Sequence, residues 1–181
     1  FRIVVLLAAL NVLQSVRAQD TLAIRELSKE RIYQADTSLR VIPQTAFKEG
    51  ERLVFDVGYS FITAGEAVMS VPRVDTLFGR PAYQVLFTVT SAKAFSWLYH
   101  VDDRYETFLD VQGMFPWHFT QRVREGSYSR DFEAWFDQVN NVAYADNKRY
   151  PIPPYVQDAV SAFYFVRTLD YSKSRVGEKI I

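Results

Sequence analysis

Cysteine is absent from this chain of 181 residues. No disulfide can stabilise it, and it lacks the residue through which a bacterial lipoprotein is acylated. An excess charge of one sign is also missing, since 21 Lys and Arg balance 21 Asp and Glu. Nucleic-acid binding needs clustered basic side chains, so no nucleic-acid partner is expected. The 7 glycines are scattered through the chain, and no Gly-rich phosphate cradle can be drawn from them. A G-x-S-x-G nucleophile elbow is nowhere present. Long apolar runs are missing too. The one candidate, Ile3 to Leu10, is interrupted soon afterwards by Asn11 and Gln14 and is too short to cross a bilayer.

That short run has a meaning of its own. Residues 1–18 read as an export signal: Arg2 at a basic start, an apolar centre, and Val16-Arg17-Ala18 offering small residues to a signal peptidase. Removing it takes away Arg2 and Arg17 and leaves 19 basic against 21 acidic residues, a charge of about −2. The expected location is outside the cytoplasm, in the periplasm or against the outer membrane, with no membrane-spanning segment once the signal is gone. Residues 19–46 read as a lead-in, partly helical around 22–33 and partly loose. Residues 47–181 read as one domain, large enough for its own core.

Within that domain the hydropathy alternates with a period of two, the mark of a half-buried strand. Leu53, Phe55, Val57 and Tyr59 share one face. Ala67, Met69 and Val71 resume the alternation after Ala64-Gly65-Glu66, which reads as a turn or bulge. Tyr83, Val85, Phe87 and Val89 form a third set, and Val101, Tyr105 and Leu109 a fourth. Trp117, Phe119, Gln121 and Val123 follow, then Tyr128 through Phe136, then a short return strand over 142–145. The connections are short and rich in Gly, Asp and Asn, which suits antiparallel neighbours.

Pro151-Ile152-Pro153-Pro154 cannot continue a central strand. Residues 156–169 then predict a helix, with Asp158 at the positive end of its dipole and Arg167 at the other. Val160, Ala162, Phe163, Tyr164, Phe165 and Val166 leave almost no polar face. Such a helix is expected to be buried on more than one side. The fold expected is therefore mainly β: a curved antiparallel sheet or half-barrel, with one helix from the C-terminal region packed on its concave face. Gly177-Glu178-Lys179-Ile180-Ile181 reads as the start of a further strand, cut short.

The densest polar cluster is His100, Asp102, Arg104 and Glu106, alternate positions that a strand would place on one face. Such positions lie about 7 Å apart, so a metal would need ligands from a second element, and His118 is the only other histidine. The plainer reading is a solvated face on which Arg104 pairs across strands with carboxylates. Asp158 with Ser161 reads as a helix cap, and a buried pair of Asp158 with Arg104 or Arg167 is the alternative. No metal, cofactor or catalytic residue is expected.

Phe47-Lys48-Glu49-Gly50-Glu51-Arg52-Leu53-Val54-Phe55-Asp56-Val57 and Ala64-Gly65-Glu66-Ala67 resemble the opening of exported bacterial proteins grouped as domain-of-unknown-function family 3108. The resemblance continues through Tyr99-His100-Val101-Asp102-Asp103-Arg104-Tyr105-Glu106 and the run from Val156 to Arg167. It implies export, a β-rich fold, and further strands after Gly177, but no activity and no site residues. A looser resemblance, of layout alone, is to the carriers that shuttle lipoproteins across the periplasm.

The chain is rich in aromatics, with 14 Phe, 11 Tyr and 3 Trp. They serve a core, and they also suit an apolar groove between sheet and helix that receives a lipid, another apolar ligand or a lipidated partner. Phe87, Trp97, Tyr105, Trp117, Phe163 and Phe165 are the expected lining. The segment 92–98, which includes Phe95, is expected at the groove mouth as a loop or short helix. The function expected is that of a non-enzymatic envelope protein binding an apolar ligand. The alternative is an assembly module that recruits another envelope protein through its sheet edges.

Overall fold

The computed structural model describes residues 39–59, 62–94 and 96–172. The export signal, the helix expected near 22–33, Phe95 and the strand expected from Gly177 lie outside the described residues. The described residues form one open antiparallel sheet whose strands follow each other in sequence order, β1 to β8. These are Arg52–Tyr59, Ile62–Leu77, Arg80–Ser91, Asp102–Asp110, Pro116–Glu125, Tyr128–Asp137, Val142–Ala145 and Lys148–Pro151. A single described helix, α1 (Ala159–Val166), packs on one face against β3 and β4. The expected fold class holds: mainly β, a meander, one helix against it.

The local chemistry explains the elements. Phe78 and Gly79 turn β2 into β3 with φ of 52° and 76°, and Asp146 and Asn147 turn β7 into β8 with 51° and 58°. Two left-handed residues in succession match the twist of a tight hairpin. Phe78 is bulky for such a conformation. Its ring is held edge-on to Trp117 and Trp135, at centroid distances of 5.4 and 6.0 Å. The Asp137 carboxylate accepts from the backbone N–H of Val139 and Asn140, closing the next turn.

Register shifts fall at Val57/Gly58, between Ser70 and Arg73, and at Phe108/Leu109. Each bends the sheet locally. Pro72, which has no N–H to donate, sits within the second of them. Ala64-Gly65-Glu66 is no turn, since all three lie inside β2, but the expected bulge is present: Val57 pairs with Gly65 and Gly58 with Thr63, which leaves Ala64 as the extra residue. Gly65 is required there by close approach, because a Cβ on it would meet the Thr90 carbonyl oxygen at 2.5 Å. A strand absent from the expectation, β8, is an edge of four exposed residues.

The helix is shorter than expected and differently buried. It covers eight residues, begins after the Asp158 cap and ends at Arg167. Val160, Ser161 and Tyr164 are buried, but Phe163 and Val166 stay 42% and 43% exposed. One sheet covers one side of a helix, so the expected burial on several sides is not met.

The main core lies between helix and sheet. Met69, Val71, Tyr83, Val85, Leu109, Met114 and Phe119 meet Val160 and Tyr164, with Phe47 wedged against Tyr83 and Tyr164. A second core of Ala82, Phe115 and Trp117 is packed by Phe78, Phe108 and Tyr155.

Candidate functional site

Cross-strand register arranges the helix-bearing face into rows. Val85, Thr107, Phe119 and Ala134 oppose one another in succession and are all buried. The next row outward is Leu53, Met69, Phe87, Tyr105, Gln121 and Phe132. Beyond it lie Phe55, Ala67, Val89 and Asp103, and beyond those Val57, Gly65 and Ser91. The large apolar side chains become more exposed along this progression, because the helix covers only the inner end, whereas the smaller Gly65, Ala67 and Asp103 stay buried. Phe87, Val89, Tyr105 and Phe132 are half-buried, while Phe55 and Val57 are each 43% exposed.

The outcome is an apolar trough beside the helix. Its floor is Phe55, Val57, Phe87 and Val89, with the small, buried Ala67 between Phe55 and Val89 and Gly65 beside Val57. Phe87 stacks on Tyr105 at 5.6 Å. At the outer end a cavity of about 280 Å³ is walled by Val57, Gly65, Val89, Leu98, Tyr99 and Val101, among others. Toward β4 and β5 the floor turns polar. Asp103 is buried and accepts from the Arg124 N–H at 2.8 Å. Glu125 stands beside it, its carboxyl pushed up by loss of hydration and then by the Asp103 charge. The Tyr105 phenol is pushed up by burial first and by Asp103 second. The trough is thus apolar along most of its length, with a hydrogen-bonding end.

Of the expected lining residues, Phe87 and Tyr105 lie on the trough floor. Phe163 is on an open flank of α1. Phe165 is not on that flank: the two are roughly 160° apart at 3.6 residues per turn. The Arg40 guanidinium lies 4.9 Å from the Phe165 ring and 4.4 Å from that of Tyr155. Trp117 does not line the trough either. The Phe108/Leu109 shift draws it into the second core, fully buried, with its indole N–H on Asp110 at 3.1 Å. Trp97 stands outside, 82% exposed on the turn over the cavity.

The polar cluster divides. Asp102, Arg104 and Glu106 share the face of β4 turned away from the helix, and His100 precedes the strand, exposed. Arg104 pairs with Glu106 on its own strand at 2.9 Å, and Asp102 pairs with Arg122 across strands at 3.1 Å. The expected cross-strand pairing of Arg104 is therefore replaced by a pairing along the strand. Asp158 is on the other face of the sheet and meets neither Arg104 nor Arg167. It accepts from Val160 and Ser161 N–H and from the Thr107 hydroxyl, at 2.8, 2.9 and 2.7 Å. The Ser161 hydroxyl completes a capping box. Burial raises the Asp158 carboxyl above its ordinary range, against the opposing pull of these hydrogen bonds. Arg167 instead takes Glu51 in a two-pronged pair, both contacts 2.7 Å.

The far face holds a larger, polar cleft of about 620 Å³, lined by Arg104, Arg122, Asp131, Glu133, Trp135 and Tyr144, among others. Its groups serve one another. Arg124 pairs with Asp131, His118 meets Glu133 at 2.7 Å, and the His118 ring stacks on Trp135 at 3.8 Å. Among the described residues no three His, Asp or Glu side chains stand together as a metal site. No described helix is long and apolar enough to cross a membrane, which says nothing of strands.

The expected lining missed Phe55, Val57 and Val89. Their signal was present in the alternation of β1 and β3, which puts them on the face of Leu53 and Phe87. A family model described as protein of unknown function (DUF3108) matches residues 54–178. No curated protein and no solved structure matches the chain.

Proposed function

We propose, on the premise that the chain belongs to the DUF3108 family of proteins of unknown function, that it is a non-enzymatic binder of an apolar chain. The ligand lies in the trough beside α1, its hydrocarbon on Phe55, Val57, Phe87 and Val89 and its polar end toward Tyr105 and Asp103. The exposure of Phe55 and Val57, 43% each on a face otherwise built as core, is the observation that carries this reading. Apolar area of this kind gains about 25 cal/mol per Å² when covered. The export-signal pattern of residues 1–18 supports an envelope setting, where lipids and lipidated proteins are the available ligands. The layout of a sheet backed by one helix suits a carrier.

Organic extraction of the purified protein followed by mass spectrometry tests this. A co-purifying lipid or fatty acid is the expected result. No extractable lipid, together with no binding of an environment-sensitive apolar dye, overturns it.

A second reading is favoured by one observation. Among the described residues β1 pairs only with β2 and stands at the end of the sheet, and its Val54 is 45% exposed. An open edge of eight residues can accept a strand from another envelope protein. Affinity capture that yields one stoichiometric protein and no lipid would favour that reading over the first.

A further inference from the structure

The turn between β3 and β4 carries three large apolar side chains outward. Trp97 is 82%, Leu98 70% and Tyr99 54% exposed. Its base is pinned on three sides. Ala92 N–H donates to the Ala64 carbonyl at 2.8 Å, Ser91 to Val101 at 3.0 Å, and Gly126 to His100 at 2.8 Å. The tip is folded on itself: Ser96 N–H donates to the Ala92 carbonyl at 3.0 Å, and the Ser96 hydroxyl to that of Lys93 at 3.1 Å. The apolar side chains are therefore presented by a built turn.

The Trp97 indole N–H is already satisfied, by the Ala94 carbonyl at 2.9 Å. Moving an indole out of water normally strands its donor, at a cost comparable to a lost hydrogen bond. Here the ring can leave water with its donor paired. What it enters can be argued from area. Three neighbouring side chains offer on the order of 400 Å², whereas a stable protein interface takes about 800 Å² from each partner. The tip is too small to hold a second copy of the chain by itself, and it projects instead of receiving. A Trp and a Tyr flanking a Leu fit the boundary zone of a lipid bilayer, where amphipathic rings concentrate.

We propose that this turn docks on a lipid bilayer, with Trp97 inserted at the interface. Leu98 and Tyr99 also wall the outer cavity of the trough. Docking there sets the mouth of the trough against the membrane, so that an acyl chain can pass between bilayer and trough without crossing water. The purpose of the docking rests on the apolar-ligand reading; the docking itself does not.

The test uses the full chain with vesicles of phosphatidylcholine and phosphatidylglycerol. The protein is expected to float with the vesicles, and its tryptophan emission to be quenched by bromine-labelled phosphatidylcholine. Of the other two tryptophans, Trp117 is fully buried and Trp135 is half-buried against His118 in the far-face cleft, away from this turn, so quenching that Trp97→Ser removes reports Trp97. Trp97→Ser should lower vesicle partitioning about tenfold, the scale set by burying one large apolar side chain. It should leave the binding of an apolar dye by the trough unchanged. Absence of flotation, equal flotation of W97S, or a dimer without vesicles that W97S dissociates each overturns the proposal. Flotation with quenching but no dye binding upholds membrane docking while removing the ligand reading.

Discussion

The Arg80 guanidinium and the Asp110 carboxylate meet at 2.6 Å in a fully enclosed site, with side chains only 8% and 0% exposed. The pair joins the first residue of β3 to the last of β4. Asp110 also accepts from Gln112 and Gly113 N–H and from the Trp117 indole. One carboxylate thus fixes the β4–β5 turn and the second core together. Removing one member of a buried pair takes from the other the opposite charge it faces. Asp110→Ala or Arg80→Ala should therefore cost about 3–5 kcal/mol in urea unfolding. A cost under about 1 kcal/mol would mean that the pair does not organise the turn.

The helix cap gives a milder, pH-dependent effect. Asp158→Ala should lose about 1 kcal/mol, whereas Asp158→Asn should keep most of the cap, since both residues serve at that position. Burial raises the Asp158 carboxyl in the folded protein. A raised folded value means a contribution fully present below the unfolded value and lost as pH rises through the folded one. Relative to D158N, the wild type should be more stable at strongly acidic pH than near neutrality. Unfolding both proteins across that range measures the difference, and a constant difference would contradict the account.

Tyr164 should govern the alkaline limit. Its ring is fully buried, and its hydroxyl lies beside the Glu51–Arg167 pair without a well-formed hydrogen bond. Burial, and then the Glu51 charge, push the phenol up to about 12. The neutral form is favoured in the fold. Its contribution is complete below the unfolded value near 10 and disappears as pH rises toward 12. That amounts to roughly 2–3 kcal/mol for two pH units of displacement. Tyr164→Phe should remove this part of the alkaline loss and be near neutral or stabilising at pH 7. Identical alkaline unfolding profiles would refute the assignment.

Gly65 tests the floor of the trough. A methyl group there would press on the Thr90 carbonyl oxygen. Gly65→Ala should destabilise by about 1–3 kcal/mol through this overlap. A neutral effect would show that β2 and β3 can part without penalty at the mouth.

Much of this fold could be read from residue alternation and turn chemistry. The alternating sets of β1, β3 and β6 identify strands because a half-buried sheet face demands them. Asp158 declares itself as a cap by its place before an apolar run. Other features had no local signal. β8 is all exposed, so its residues show no alternation. Gly65 resembles a turn residue, but the reason for it is the backbone of β3. The bulge that turns Trp117 away from Phe119 exists only through pairing with β4. Arg80 and Asp110 are 30 residues apart, and only the paired strands bring them together. The trough was half legible. Its floor follows from the period of two, whereas its openness depends on how far a short helix reaches, which the apolar run after Asp158 overstated.

The most direct measurement of the central claim is titration of the purified protein with a fluorescent fatty acid. The wild type should bind it saturably. Val57→Lys, which sets a charge on an exposed part of the trough floor, should weaken binding at least tenfold without unfolding the chain. Arg122→Ala, on the far face and half exposed, should bind as the wild type does. Failure of the wild type to bind, or equal binding by V57K, would contradict the account.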